Sequence, residues 1–452
     1  MSELPKGWTT ACINALADIN PKQTCDDHLV AGFVPMSHAP TNFLDKLRFN
    51  ERNWGDIKKA YTNFKNGDVI FAKVTPCFEN GKAAFVEGLP NGIGAGSSEF
   101  YVLRPCSKEV SARYLLALIK SRGFMREGAS NMTGAVGLRR VPKQFVENYP
   151  VLVPPAAEQT RIAQKLDELL AQVDTLKARI DTIPALLKRF RQSVLTVAVS
   201  GRLTEEWRAA SDISEHRIRW HDTKLSELCV LVTSGSRGWA EYYSDSGTIF
   251  IRSQDINTDD LDITDTAFVK LPESSEGKRT RVQAQDILIT ITGANVGKIA
   301  RVKQAIPEAY VSQHVALVRF QNSEYAPFIE LYLKDIGSGR GELTELAYGG
   351  GKPGLNLSNI RDLALALPSI DEQTEIVRRV EQLFAFADQL EAKVDSAKRR
   401  IDLLAQSILA KAFRGELVPQ DPDDEPASVL LERIKAQRSA APKPKRSRKA
   451  SA

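Results

Sequence analysis

The sequence predicts a mixed α/β (α+β) protein built twice: two globular segments separated by two long antiparallel α-helices that form a coiled-coil spacer, related by a pseudo-twofold internal duplication. Three observations predict it. Residues 158–204 and 372–418 align without a gap at a constant offset of 214. Of these 47 positions 16 are identical, where unrelated sequence would give roughly 3, so a duplication is the better reading. Each copy also carries a heptad stripe, and each follows a globular stretch of similar length. The predicted organisation is a first globular segment at 1–155, a central helix at 156–205, a second globular segment at 206–368, a C-terminal helix at 369–420, and a short helix with a basic, disordered tail at 421–452.

The first globular segment has strand candidates at 68–72 and 99–103 and a helix candidate at Ala112–Ser121. A β-rich run into proline, Tyr149–Pro155, precedes the first repeat. The central helix then carries Ile162, Leu166, Leu169, Val173, Leu176, Ile180, Ile183 and Leu187 at alternating spacings of four and three, continued by Phe190, Val194 and Val197. That is the a/d seam of a coiled coil. Pro184 lies inside it, and a proline there removes a helix hydrogen bond, so a kink near 182–186 is expected. Gly201 stands where a helix C-cap belongs.

The second globular segment repeats the pattern, with strand candidates at 286–290 and 315–318 and a helix candidate at Pro327–Lys334. The run Leu363–Pro368 leads into the second helix, where Ser369 and Glu372 have capping-box spacing. Its seam is Ile376, Val380, Leu383, Ala387, Leu390, Val394, Ala397, Ile401, Leu404 and Ile408, and Gly415 is its expected C-cap. A helix with a narrow seam needs a partner, and the obvious partner is its own duplicate. Weaker correspondences link the globular segments: Gly67–Ile70 with Gln285–Leu288, Gly81-Lys82 with Gly297-Lys298, and a glycine-rich loop at 133–138 with another at 349–355.

Composition excludes several classes. Hydrophobic residues make up 42% and charged residues 26%, ordinary for a soluble protein. No apolar run is long enough to cross a bilayer, and no signal core follows Met1, so a cytoplasmic location is expected. The five cysteines are scattered without a Cys-x-x-Cys pair, and the closest histidines, His216 and His221, lack a completing ligand set, so no metal site is expected. The net charge of +5 is carried by the tail, whose six positives from Arg438 onward leave the rest at −1. Any nucleic-acid surface must therefore be local. Gly293–Ile299 has one residue too few between its glycines for a phosphate-binding loop and no Ser/Thr after Lys298. No methyltransferase Asn/Asp-Pro-Pro-aromatic motif or nuclease carboxylate cluster is present, so no catalysis is expected in this chain.

Polar, basic loops recur at matching places. The first segment has Lys73, Thr75, Asn80 and Lys82 around one turn, then Thr133, Arg139, Arg140 and Lys143. The second has Arg252, Ser253 and Gln254 after a strand, then Thr292, Asn295 and Lys298, then Lys352, Asn356, Asn359 and Arg361. Arg, Lys, Asn and Gln can read base edges in the major groove, and glycines beside them let backbone N–H groups approach phosphates. These residues are the candidate DNA contacts. Solvated loop charge explains some of them singly, but the recurrence argues for function. The competing readings are a coiled-coil protein-interaction scaffold without specific DNA recognition, and an enzyme with a site of its own.

The helical stretches Ala157–Asp174, Leu187–Leu195, Glu375–Phe384 and Gln406–Leu417 closely resemble the DNA-specificity (S) subunits of type I restriction–modification enzymes, and most of all the enteric group called IA. The resemblance implies that each globular segment is a target-recognition domain reading one half of a bipartite, asymmetric site in double-stranded DNA, with the helices setting the gap. It implies two methyltransferase (modification) subunits, which methylate adenine with S-adenosylmethionine, and two ATP- and Mg-dependent translocase/nuclease (restriction) subunits. The cofactors then belong to the partners and none to this chain.

Overall fold

The computed structural model describes residues 4–135, 137–210, 220–235, 238–257, 259–271, 279–347 and 354–440. The chain divides into two compact units, residues 1–181 with 396–452, and residues 182–395. Each long helix is thereby shared between the units.

In the first unit, one four-stranded sheet has the order β2 (Ala17–Ile19), β9 (Phe100–Pro105), β6 (Val69–Ala72), β7 (Ala83–Phe85). A second has the order β4 (Asn50–Asn53), β3 (Val30–Val34), β8 (Ile93–Gly96), β5 (Thr62–Lys65), with β3 and β8 parallel. Two ribbons complete it: β1 (Thr9–Cys12) with β12 (Pro150–Val153), and β10 (Thr133–Ala135) with β11 (Leu138–Arg140). The second unit repeats this plan. Its β14 (Cys229–Ser234), β21 (Val315–Phe320), β18 (Ile287–Thr290) and β19 (Ile299–Arg301) form one sheet in that order. The other has β15 (Tyr243–Ser244), β17 (Ala267–Val269), β16 (Thr248–Ile251) and β20 (Ala309–Val311), with β16 and β20 parallel. A ribbon pairs β13 (His221–Lys224) with β22 (Ala364–Leu367). The predicted strands at 68–72, 99–103, 286–290 and 315–318 are β6, β9, β18 and β21, because short buried runs such as Val-Ile-Phe-Ala suit strands covered on both faces.

The duplication extends to buried ion pairs. Asp68 accepts two hydrogen bonds from Arg104, and Asp286 accepts two from Arg319, both carboxylates being almost wholly buried. Each carboxylate also accepts a backbone N–H three residues upstream, from Lys65 and Gln283. A buried carboxylate needs such partners, since leaving one unpaired is strongly destabilising.

The long helices run Ala156–Val199 and Ile370–Phe413, 44 residues each, or roughly 66 Å at 1.5 Å per residue. Pro184 lies inside the first without interrupting it. Gly201 (φ +76°) and Gly415 (φ +73°) take the left-handed conformation expected of C-caps. Ser369 caps the second helix through Glu372 N–H, but the Glu372 carboxylate does not reach back; it accepts from Thr204 and Arg208. In the first unit Lys177 pairs with Asp402 and Lys398 with Asp181. In the second, Arg191 pairs with Asp388 and Glu391, and Arg379 donates to the Leu203 carbonyl. Partner numbers fall as helix numbers rise, so within each unit the segments run antiparallel.

The seam is not a pure a/d stripe. Ile162, Leu166, Val173, Leu187, Ile376, Val380, Val394, Ile401 and Ile408 are buried, and Leu169, Ile180, Ile183, Leu383 and Leu390 partly so. Leu176 and Leu404, expected in the seam, are exposed at 45% each. Leu170, outside the predicted seam, is buried. The reason is that Ile162, Leu166, Leu170, Val173, Ile401, Ile408 and Leu409 join the core of the first globular segment. Packing against a domain calls for a wider apolar face than a partner helix does. Ile376 and Val380 join the core of the second in the same way.

A short helix at Ala427–Ala440 buries Ala427, Leu430 and Ile434 in the first unit. Arg438, assigned to the tail by sequence, lies in the last turn of this helix and pairs with Asp18. The tail from residue 441 lies outside the described residues.

Candidate DNA interface

The end of the sheet where β6 stops and β9 begins carries a small hydrogen-bonded frame. Lys73 N–H donates to the Glu99 carbonyl (2.9 Å), and Val141 N–H to the Lys73 carbonyl (2.8 Å). Val74 bridges Arg140, which hangs the β10–β11 ribbon on this junction. Ser97 N–H donates to the Val34 carbonyl, and the Ser97 hydroxyl accepts from Glu99 N–H. In the second unit the same frame recurs. Ile291 N–H donates to the His314 carbonyl (2.9 Å) and Leu355 N–H to the Ile291 carbonyl (2.8 Å). Thr292 bridges Gly354, Ser312 N–H donates to Ile251, and the Ser312 hydroxyl accepts from His314 N–H. Apart from the serine hydroxyl kept in both units, the frame is backbone, so its other side chains are free to differ.

They do differ. In the first unit the Arg140 guanidinium donates to both Glu99 carboxylate oxygens, at 2.8 and 2.9 Å. That bond, more than offsetting partial burial, holds the Glu99 carboxyl below its usual range. The Lys73 ammonium donates to the Ser98 carbonyl and lies 5.4 Å from the Tyr101 ring centre. In the second unit the His314 imidazole lies between the Thr292 hydroxyl at Nδ1 and the Gln313 amide, 3.2 Å from Nε2.

Comparison with known proteins gives this geometry its setting. The model of the type I restriction modification DNA specificity domain matches the chain twice, over residues 5–185 and 218–397. The chain belongs to the type I restriction–modification DNA specificity family. It is 34% identical to the type I restriction enzyme EcoKI specificity subunit of Escherichia coli strain K12 and 31% identical to the StySPI specificity subunit of Salmonella potsdam, each alignment covering 99% of both chains. The HsdS subunit of Thermoanaerobacter tengcongensis has a similar fold, with a TM-score of 0.63 at 20% identity over 92% of this chain and 98% of that one.

Within this specificity subunit the candidate contacts fall into three groups. Thr75, Thr133, Arg139, Arg140 and Lys73 meet at the first frame: the Thr75 hydroxyl accepts from Arg139 N–H (3.0 Å), and the Arg139 guanidinium lies 3.5 Å from Glu79. Thr292 sits on the second frame. The ribbon itself needs Gly134, whose φ is +126° and where a Cβ would stand 2.7 Å from the Leu138 carbonyl oxygen.

A second group is held by its own chain. The Lys82 ammonium donates to the Met36 carbonyl and Lys298 to Asn257, equivalent places in the two units. Asn295 donates to the Ser253 carbonyl, and Arg361 to the Val232 carbonyl. Arg252 forks onto Asp255, with the Gln254 amide oxygen turned to the same guanidinium. Asn356 and Asn359 form the capping box of the helix Leu357–Arg361. The third group stands apart on exposed surface: Asn80 in its turn, and Lys143 paired with Glu147. Lys352 lies outside the described residues.

Glu99, Gln313 and His314 were not singled out by sequence. The signal that finds them is the Ser-x-x triplet, Ser97-Ser98-Glu99 before β9 and Ser312-Gln313-His314 before β21. Behind the first frame Lys120 is buried and donates to the Thr41 and Gly81 carbonyls, pinning the turn that carries Asn80. Burial pushes its ammonium down to about 7.

Among the described residues no cluster of His, Cys, Asp or Glu could hold a metal ion. No described helix is long and apolar enough to cross a membrane. The loop after β18 leads into β19, a strand, where a phosphate-binding loop of the strand–loop–helix kind would open a helix.

Proposed function

We propose that this specificity subunit reads a two-part, asymmetric site in double-stranded DNA, one part per globular segment, and directs adenine-N6 methylation and restriction by partner subunits. The observation that carries this reading is one backbone frame present twice, dressed with different polar side chains. Two unlike readers on a duplicated scaffold suit a site with two unlike halves. The helices act as the coiled-coil spacer between the halves, related by the pseudo-twofold repeat. The first unit's Leu176, Leu403 and Leu404, exposed on the helices, offer apolar surface to a partner subunit.

The chain is assigned no catalytic step. S-adenosylmethionine, ATP and Mg²⁺ are assigned to two methyltransferase and two restriction subunits, in the cytoplasm. The test is to express this chain with its methyltransferase subunit in a host stripped of adenine methylation and to map N6-methyladenine by single-molecule sequencing. A two-part motif with a fixed gap, modified on both strands, is expected. An intact, S-adenosylmethionine-loaded complex that marks no motif would sink the proposal.

A further inference from the structure

We infer that the side chains on the two frames choose the base pair each half reads: Glu99 with Arg140 takes a G·C pair, and Gln313, held by His314, takes an A·T pair. The inference rests on the reading of this chain as a DNA specificity subunit.

The frames are equivalent by backbone, so the difference between them is chemical. In the first, Arg140 spends Nε and one terminal nitrogen on Glu99, leaving its other terminal nitrogen unbound. Its side chain is 43% exposed and that of Glu99 26%. The pair sets an array of donors beside an acceptor. Guanine offers two major-groove acceptors, O6 and N7, and its cytosine partner offers the N4 donor. One ion pair thus complements both bases of a G·C pair. The pair is neutral overall, so it adds discrimination with little counterion release.

Among the described residues, the second frame has no carboxylate or guanidinium at the corresponding place: His314 stands where Glu99 does and Gly354 where Arg140 does. Gln313 and His314 are both exposed. The contacts are satisfied when the Gln313 amide N–H donates to His314 Nε2 and the imidazole carries its proton on Nδ1 toward the Thr292 hydroxyl. The ring then positions the glutamine. The amide keeps one N–H and its carbonyl oxygen, the pattern that matches adenine N7 and N6.

The test uses the complex of the full chain with its methyltransferase subunit, mapped by N6-methyladenine sequencing. The parent complex is read first; without a two-part motif the functional reading fails by itself. Glu99→Gln and Arg140→Lys are then expected to relax a G·C position in one part, with about a 5- to 150-fold loss of discrimination, and to leave the other part unchanged. Gln313→Ala and His314→Asn are expected to relax an A·T position in the other part. Each part has two variants, so a folding loss seen by thermal melting in one leaves the second to decide. An unchanged motif overturns the inference. So does a loss spread evenly over both parts, the behaviour of a phosphate contact. Relaxation at the opposite kind of base pair overturns the assignment for that half.

Discussion

At the residue scale, Lys120 is a buried cation bonded to the carbonyls of Thr41 and Gly81. Its ammonium is held down by desolvation, opposed only by the charge of Asp45. A lysine whose folded pKa is depressed binds its proton less tightly in the native state than in the unfolded chain. Stability should therefore rise with pH from about 7 toward the ordinary lysine value of 10.5. Lys120→Met should flatten that rise, read as melting temperature against pH between 7 and 10. A slope equal to the parent's would show that the carbonyls of Thr41 and Gly81 keep the ammonium charged. Lys82 and Lys298 teach a related lesson: basic residues in matching turns are held by carbonyls of their own chain, in equivalent places. Residue type and recurrence marked them; only the hydrogen bonds separate a brace from a reader.

At the element scale, the starts of the long helices are legible to within a residue, because the repeat, the heptad stripe and the glycine caps agree, while the expected spans 156–205 and 369–420 run six and seven residues past Val199 and Phe413. Pro184 stands inside an unbroken helix. Proline removes one helix hydrogen bond and crowds the preceding turn, but packing of the flanking turns outweighs a local propensity cost. Leu187, one turn on, is buried. The exposed Leu176 and Leu404 were placed in the seam because periodicity alone cannot show where a globular core takes over from a partner helix. Leu404→Glu should change the stability of the isolated chain by about 0.5 kcal/mol or less, as exposed substitutions do, while weakening assembly with the methyltransferase subunit. Analytical ultracentrifugation of the mixture reads the second effect. Assembly at the parent's affinity would remove this face from the partner surface.

At the scale of the whole molecule, a bipartite reader needs a ruler. Recognition elements on one face of B-DNA repeat about every 34 Å, one helical turn. A four-residue insertion in register in both long helices adds about 6 Å of helix, and it should lengthen the preferred gap in the methylated motif. The same gap with DNA binding intact would mean that the helices do not set the spacing.

The sequence by itself determined the duplication, the two long helices, the main strands of each unit and the family, since these rest on local periodicity and on side chains repeated at a constant offset. It also showed that the basic, glycine-rich loops come in matched sets. The tertiary structure decided which side chains share a frame. Glu99 and Arg140 are 41 residues apart, and Thr292 and His314 are 22 apart. They meet because antiparallel strands return distant chain to one sheet end. Strand register is a property of the folded sheet, and no short stretch of sequence carries it.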